Sequence, residues 1–192
     1  VRKNKNGQRK MLETIIFDWN GVFTNDTEQL IKSITKLFEK YNLPKIPYGY
    51  LRSNLAANFP QFWQRYLSST NIPMDKAHSD FKKIFKKHVK PLVHGTEEVL
   101  KFLRSNKVEM YILSSHEESI LDQDIRQHGI HHYFNKVYGS RICKDEVLAE
   151  ILEENSLDKK NTLYVGDTID DIAAGKKNNV KTAAVLSGYH TE

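Results

Sequence analysis

Four short stretches of this chain carry the residues suited to chemistry. Asp18, Asn20 and Gly21 stand in "TIIFDWNGVF", and Ser114 and Ser115 end "KVEMYILSS". Lys144 opens "KDEVLAEILEENSL", and Asp167, Asp170 and Asp171 stand in "LYVGDTIDDIAAGKKNN". Three or more carboxylates brought to one place repel one another unless a cation lies between them. Carboxylate and carbonyl oxygens are hard ligands, so the cation they suit is Mg²⁺. A hydroxyl and a lysine beside such a cluster complete a polar, charged site. The chemistry therefore depends on whether the fold makes these stretches meet.

The elements around them predict that it does. "MLETIIFDW" reads as a short buried strand stopped by Gly21. A helix follows over roughly Thr27–Tyr41, with Leu30, Ile31, Ile34, Leu37 and Phe38 on one stripe. "NLPKIPYGY" reads as a break, with two prolines and a glycine. "PQFWQRYLSS" reads as a helix with Pro60 in its first turn. "MDKAHSDFKKIFKKHV" places Phe81, Ile84, Phe85 and Val89 on one face, and Pro91 ends it. From there helices and strands alternate. "TEEVLKFLRSN" is a helix with Thr96 as its expected N-cap, "KVEMYIL" a strand, and "ESILDQDIRQHGI" a helix closed by Gly129. "NKVYGS" is a short strand, "KDEVLAEILEENSL" a helix, "NTLYVGDT" a strand, "IDDIAAGKKNN" a helix and "VKTAAVLSG" a last strand. That alternation implies right-handed βαβ units and a parallel sheet. The helical stretch from about Thr24 to Lys90 reads as an inserted helical domain. In open parallel sheets ligands collect at the carboxyl ends of the strands, which is where the polar residues above fall.

Composition bounds the classes. The chain has 192 residues, 39% of them hydrophobic, enough for one large domain or a domain with an insertion. Of 29 basic residues, five stand in "VRKNKNGQRK", which has no acid; the remaining 24 balance the 24 acidic residues. The +5 charge thus belongs to residues 1–10, expected to be a disordered tail, and nucleic-acid binding is not expected of the body. The tail has no apolar centre and does not read as a signal peptide. No run of about 18 apolar residues predicts a membrane span. The single cysteine, Cys143, excludes an internal disulfide and fits a reducing, cytoplasmic setting. It has no evident activating partner and reads as inert.

The stretches together resemble the four motifs of the haloacid dehalogenase superfamily. "FDWNGV" resembles the first, Asp-x-Asp-x-Thr/Val, and "YILSS" the second. Lys144 fits the third, and "VGDTIDDIAAGKKNNV" is very similar to the fourth, Gly-Asp-x-x-x-Asp before a helix. Order and spacing agree from about Leu12 to Gly188, and a helical insertion after motif one resembles the cap of the phosphoglycolate-phosphatase-like subgroup. The resemblance implies an α/β fold, a Rossmann-like parallel sheet core with an inserted all-helical cap. The expected division is a tail over 1–10, a core over 11–23 and 91–192, and a cap over 24–90.

For the residues it implies the following. Asp18 attacks phosphorus and forms an aspartyl phosphate, splitting hydrolysis into two steps. Mg²⁺ is held by Asp18, the backbone carbonyl of Asn20 and Asp167, with Asp171 supporting the metal's water shell or orienting Lys144. Ser114 hydrogen-bonds a phosphoryl oxygen, or Ser115 does if the strand runs one residue further. Lys144 neutralises charge on nucleophile and phosphate, and Gly21 turns the chain away from the site. Asp170 reads as the solvent-facing neighbour of Asp171. The substrate implied is a small phosphorylated metabolite, enclosed by a lid hinged near residues 23–26 and 89–93.

Asn20 departs from the pattern. Family phosphatases have an aspartate there that protonates the leaving oxygen and then deprotonates water. An amide does neither, although it can donate a hydrogen bond. Proton help is typically worth about 10²–10⁴-fold, so the expectation is a slow Mg²⁺-dependent phosphatase. The alternatives are a proton source elsewhere, with His116 as one candidate; a weak or inactive relative that binds a phosphorylated ligand or a protein; different chemistry on the same nucleophile; and deamidation of the Asn-Gly pair.

The remaining polar clusters read as structural. His128, His131 and His132 form no recognisable zinc pattern. Lys82, Lys83, Lys86 and Lys87 read as a solvated helix face, and Arg52, Trp63 and Arg65 lie in the expected cap without a distinguishable role. The chain stops soon after the last strand, where family members usually continue with a helix, so an exposed sheet face is expected there.

Overall fold

Strand β1 (Thr14–Phe17) is buried along its whole length because it lies at the centre of a sheet. The computed structural model describes residues 12–25, 27–55, 59–85, 91–140 and 143–186, with backbone alone for 52–55 and 59–61. Four further strands, β2 (Glu109–Leu113), β3 (Lys136–Tyr138), β4 (Thr162–Gly166) and β5 (Lys181–Ala184), complete a five-stranded sheet of order β3-β2-β1-β4-β5. Every pairing is parallel. The expected α/β fold with an inserted helical cap is the fold observed.

Alternation along β1 sorts its side chains onto two layers. Ile15 and Phe17 join Met110, Ile112, Leu100 of helix α5 (Thr96–Ser105) and Leu121 and Ile125 of α6 (Glu118–Gln127). Ile16 faces the other way, with Tyr111 and Leu113, onto Val147, Leu148 and Ile151 of α7 (Lys144–Glu154) and Ala174 of α8 (Ile169–Lys177).

Between β1 and β2 the chain builds α1 (Thr27–Lys40), α2 (Tyr48–Leu55), α3 (Phe59–Leu67) and α4 (Met74–Phe85). They have a core of their own: the expected α1 stripe packs on Leu51, Phe62, Trp63, Leu67, Ala77 and Phe81. Helix α2 departs from the expected break. The irregular stretch ends at Pro47, whose carbonyl accepts from Leu51, so the proline precedes a helix instead of interrupting one. Thr96 is likewise not an N-cap. It is the first residue of α5, and Gly95 caps with φ 84°, a turn that suits glycine. Gly129, with φ 70°, follows α6 as expected. His131 and His132 lie in a 3₁₀ turn, His131 ion-paired with Asp122 and His132 packed on Tyr133. His128 lies near the Trp19 ring.

Two chain segments join cap to core side by side. Thr24 bridges Leu92, and the Val93 N–H donates to the Phe23 carbonyl at 2.8 Å. An ion pair of 3.5 Å between Lys82 on α4 and Glu117 also spans the two. Lys83 reaches Asp80; Lys86, Lys87, the Arg52 side chain, the 1–10 tail and residues 187–192 lie outside the described residues. No described helix is long and apolar enough to cross a membrane.

One carboxylate ties the cap helices together. Asp80 of α4 accepts from Lys40 Nζ at 2.6 Å and from the Tyr41 hydroxyl at 2.8 Å. These hydrogen bonds hold its carboxyl below the ordinary aspartate range, while burial and Asp80 push the Tyr41 phenol up to about 12. A depressed carboxylate contributes stability above its unfolded pKa of about 3.9 and loses it as pH falls through the lower folded value. Asp80→Asn should therefore lower the melting temperature at pH 7, and the gap to wild type should shrink steadily below about pH 4. Melting curves of both proteins across pH 2–7 check this.

Candidate functional site

The parallel registers bring the polar residues to one edge. Phe17 stands level with Ile112 and with Val165, so Asp18 emerges beside the ends of β2 and β4. Its backbone N–H donates to the Val165 carbonyl at 2.8 Å, which carries the strand one residue further. By alternation, Asp18 continues the Ile16 face, where α7 and α8 start. Trp19 turns to the opposite face, is fully buried, and packs on Phe23 with ring centroids 5.5 Å apart at a tilt of 38°, which anchors the turn that follows.

Lys144, the first residue of α7, reaches across. Its Nζ donates to Asp18 Oδ2 at 2.8 Å and to Asp171 Oδ1 at 2.6 Å. Asp171 is completely buried in the first turn of α8. Its Oδ1 also accepts from the Tyr164 hydroxyl at 2.7 Å, and its Oδ2 from the Thr168 backbone and hydroxyl at 3.1 and 2.6 Å. Thr168 in turn accepts from the Asp171 N–H, a reciprocal capping box that places a carboxylate at the positive end of the helix. Asp167 is buried alongside, and one oxygen each of Asp18, Asp167 and Asp171 lie within 4.8 Å of one another.

Two glycines make room for this cluster. A Cβ on Gly21, whose φ is 78°, would lie 2.1 Å from Asp167 Oδ2. A Cβ on Gly166 would lie 2.3 Å from Asp171 Cβ. Neither distance is compatible with a side chain at those positions.

The electrostatics follow from burial and from Lys144. Burial raises the Asp18 pKa, against the pull of Lys144. At Asp171 burial also works upward, but Lys144 and the Thr168 and Tyr164 hydrogen bonds outweigh it and hold the carboxyl below its usual range. Burial would lower the Lys144 ammonium, yet Asp18 and Asp171 hold it above the ordinary lysine range. The Tyr164 phenol is pushed well above its usual value by burial and then by Asp171 and Asp18. The site is thus a fixed cation among three acids.

Ser114 follows β2 directly and is 1% exposed, with Oγ accepting from the His116 N–H; Ser115 is exposed. Asp170 points to solvent, as expected of a neighbour of Asp171. Cys143 is exposed and caps α7 without a side-chain hydrogen bond. Asn20 Nδ2 lies 2.8 Å from His116 Nδ1, and the Thr24 hydroxyl donates to Asn20 Oδ1 at 3.4 Å. Tyr164, Thr168 and Thr24 were not among the sequence candidates. The Thr-x-x-Asp spacing of Thr168 and Asp171 was a readable signal; Tyr164 and Thr24 had none.

A family model for haloacid dehalogenase-like hydrolases matches residues 15–185. The chain belongs to that family. Among curated relatives, the hydrolase is 20% identical to a phosphoglycolate phosphatase of Neisseria gonorrhoeae, over 93% of this chain and 81% of that protein. It is 24% identical to the pyrophosphatase PpaX of Halalkalibacterium halodurans, over 93% and 84%. A haloacid dehalogenase-like hydrolase structure from Streptococcus pneumoniae superposes with a TM-score of 0.83 at 19% identity, covering 95% of this chain and 88% of that one. These similarities align this family member with the phosphoglycolate-phosphatase-like branch.

Gly21→Ala should displace Asp167 and force a strained backbone, at a cost of about 1–3 kcal/mol. A lower chemical-denaturation midpoint with unchanged slope is the expected readout.

Proposed function

We propose that this hydrolase cleaves a small phosphate monoester through an aspartyl phosphate on Asp18, with Mg²⁺ as cofactor and with turnover slowed by Asn20. The observation that carries the reading is Lys144 held between Asp18 and Asp171, with Asp167 beside them. The names of the relatives, a phosphoglycolate phosphatase, a pyrophosphatase and a 5′-nucleotidase, support a small phosphorylated substrate. We divide the chain into a core over 11–23 and 91–192 and a cap over 24–90. The cap encloses the crevice and selects the leaving group. A single cysteine fits a cytoplasmic setting.

The donor set suits Mg²⁺: hard oxygens, three clustered carboxylates and a glycine that leaves space at Asp167. Asp18, Asp167 and the Asn20 backbone carbonyl would hold the ion, which supplies charge neutralisation at the phosphoryl group. Asp171 was a metal candidate as well, but its two oxygens already accept from Lys144, Tyr164 and Thr168. Its role in this reading is to orient Lys144.

Asp18 supplies the electron pair. Its carboxylate oxygen bonds to phosphorus as the bond from phosphorus to the leaving oxygen breaks. Lys144 neutralises charge on the attacking carboxylate and the phosphoryl oxygens, and Ser114 donates to one of those oxygens. Water then attacks phosphorus, releases phosphate and restores Asp18. At both steps a proton must move, and Asn20 has none to give. Its amide is oriented instead: Thr24 donates to the oxygen, and the nitrogen faces His116. The nitrogen can then donate a hydrogen bond to a leaving oxygen, which stabilises charge without protonating it.

With para-nitrophenyl phosphate, a substrate whose leaving group needs little proton help, turnover is expected with Mg²⁺ and none with chelator. Asn20→Asp should be faster by about 10²-fold or more. Asp18→Asn should abolish turnover in both backgrounds. Folded protein that binds Mg²⁺ but hydrolyses nothing, with or without Asn20→Asp, would favour a phosphate-binding or partner-binding role.

For poorer leaving groups the oriented amide should matter more. Asn20→Ala is expected to slow an alkyl phosphate by a larger factor than para-nitrophenyl phosphate. Rates over a series of leaving groups check this: a common factor across the series would remove Asn20 from the leaving-group side.

A further inference from the structure

The cap carries a groove of about 430 Å³ at the end of α1, between the α1–α2 connection and the end of α3. Its floor and walls are largely ring and aliphatic surface: Phe38, Ile46, Pro47, Tyr50 and Tyr66 contribute most of the flat faces. Tyr66 packs edge-on against Phe38 at 5.7 Å and hydrogen-bonds Tyr50, so the aromatic wall is braced from behind. Two cations open onto this surface, Lys45 and Arg65, and no lining residue is acidic. The Arg65 guanidinium rests 5.8 Å from the Tyr50 ring centroid. A guanidinium carries five N–H donors, more than a cation–π contact engages. Neither Arg65 nor Lys45 forms an ion pair among the described residues. A largely apolar groove with aromatic lining, two positive charges and no lining acid is complementary to a ring bearing an anionic group.

The groove shares no lining residue with the Asp18–Lys144–Asp171 site. Helix α1 begins at Thr27, next to the Thr24–Leu92 junction, and Phe38 stands eleven residues on. At 1.5 Å per residue that is about 16 Å along the helix axis from its start. On α4, it is Lys82 near the C-terminal end that reaches the core, at Glu117. Its lining comes wholly from residues 38–70, in the helical segment between β1 and β2.

We propose that this groove is a second binding site, for a small planar anion: an aromatic ring carrying a carboxylate, sulfonate or phosphate. The ring lies against Tyr50, Tyr66 and the prolines, and Arg65 and Lys45 hold the anionic group.

The test uses 8-anilinonaphthalene-1-sulfonate as the probe, titrated by fluorescence against the full chain. Saturable one-to-one binding is expected, weakened about tenfold or more by the double variant Lys45→Ala/Arg65→Ala and weakened by added salt. Both side chains are exposed, so the variant should keep the wild-type circular dichroism spectrum and melting temperature. N-phenyl-1-naphthylamine, which lacks the charge, should bind more weakly and with no difference between wild type and variant. Inorganic phosphate with Mg²⁺ should leave the probe bound. The proposal is overturned by absent or unsaturable binding, by equal affinity in the folded double variant, by equal affinity for the uncharged probe, or by displacement with phosphate.

Discussion

Lys144 between Asp18 and Asp171 is the interaction on which the site depends. Two buried carboxylates facing each other without a cation would force one of them to take up a proton. The ammonium removes that conflict and is itself retained in its charged form by the two acids. Removing Lys144 would leave both buried carboxylates without their cation, which costs several times what an exposed ion pair contributes. The rest of the local structure reads as support for the triad. Tyr164 and Thr168 occupy the remaining lone pairs of Asp171, and Gly166 clears the space into which that side chain packs.

The sheet delivers these groups by simple means. Side chains alternate along β1, so the residue after Phe17 must face α7 and α8, and both helices begin at the edge where β1 ends. Asp171 thus sits in the first turn of α8, where the backbone N–H groups favour negative charge. Trp19 secures the next position by burying its ring on the other face. What remains variable is the residue at position 20, which touches cap-side Thr24 and core-side His116 at once. A change from carboxylate to amide there replaces an ionisable oxygen with an N–H donor and leaves the backbone as it is.

The cap is stabilised independently of the core. It has a separate aromatic cluster and a depressed carboxylate, Asp80, shared by Lys40 and Tyr41. It also carries the Tyr50–Tyr66 wall with Arg65 and Lys45, in which Tyr66 packs on the cap core and the two cations reach solvent.

The sequence alone determined what depends on local pattern. The stripe of α1, the strand–helix alternation after Pro91, the turn at Gly129 and the four polar stretches were legible because periodicity and turn chemistry are properties of neighbouring residues. So was the placement of those stretches at strand ends, and hence their meeting at one sheet edge. Tertiary structure decided the rest. Lys144 and Asp18 are 126 positions apart, and Asn20 and His116 are 96 apart. No local pattern sets those distances. Nor could it show that Asp171 spends its lone pairs on Lys144, Tyr164 and Thr168, that α2 restarts after Pro47, or that Arg65 opens onto an aromatic groove. Each of these follows from packing between segments remote in the chain, where burial and hydrogen-bond saturation choose among side chains that the sequence leaves equivalent.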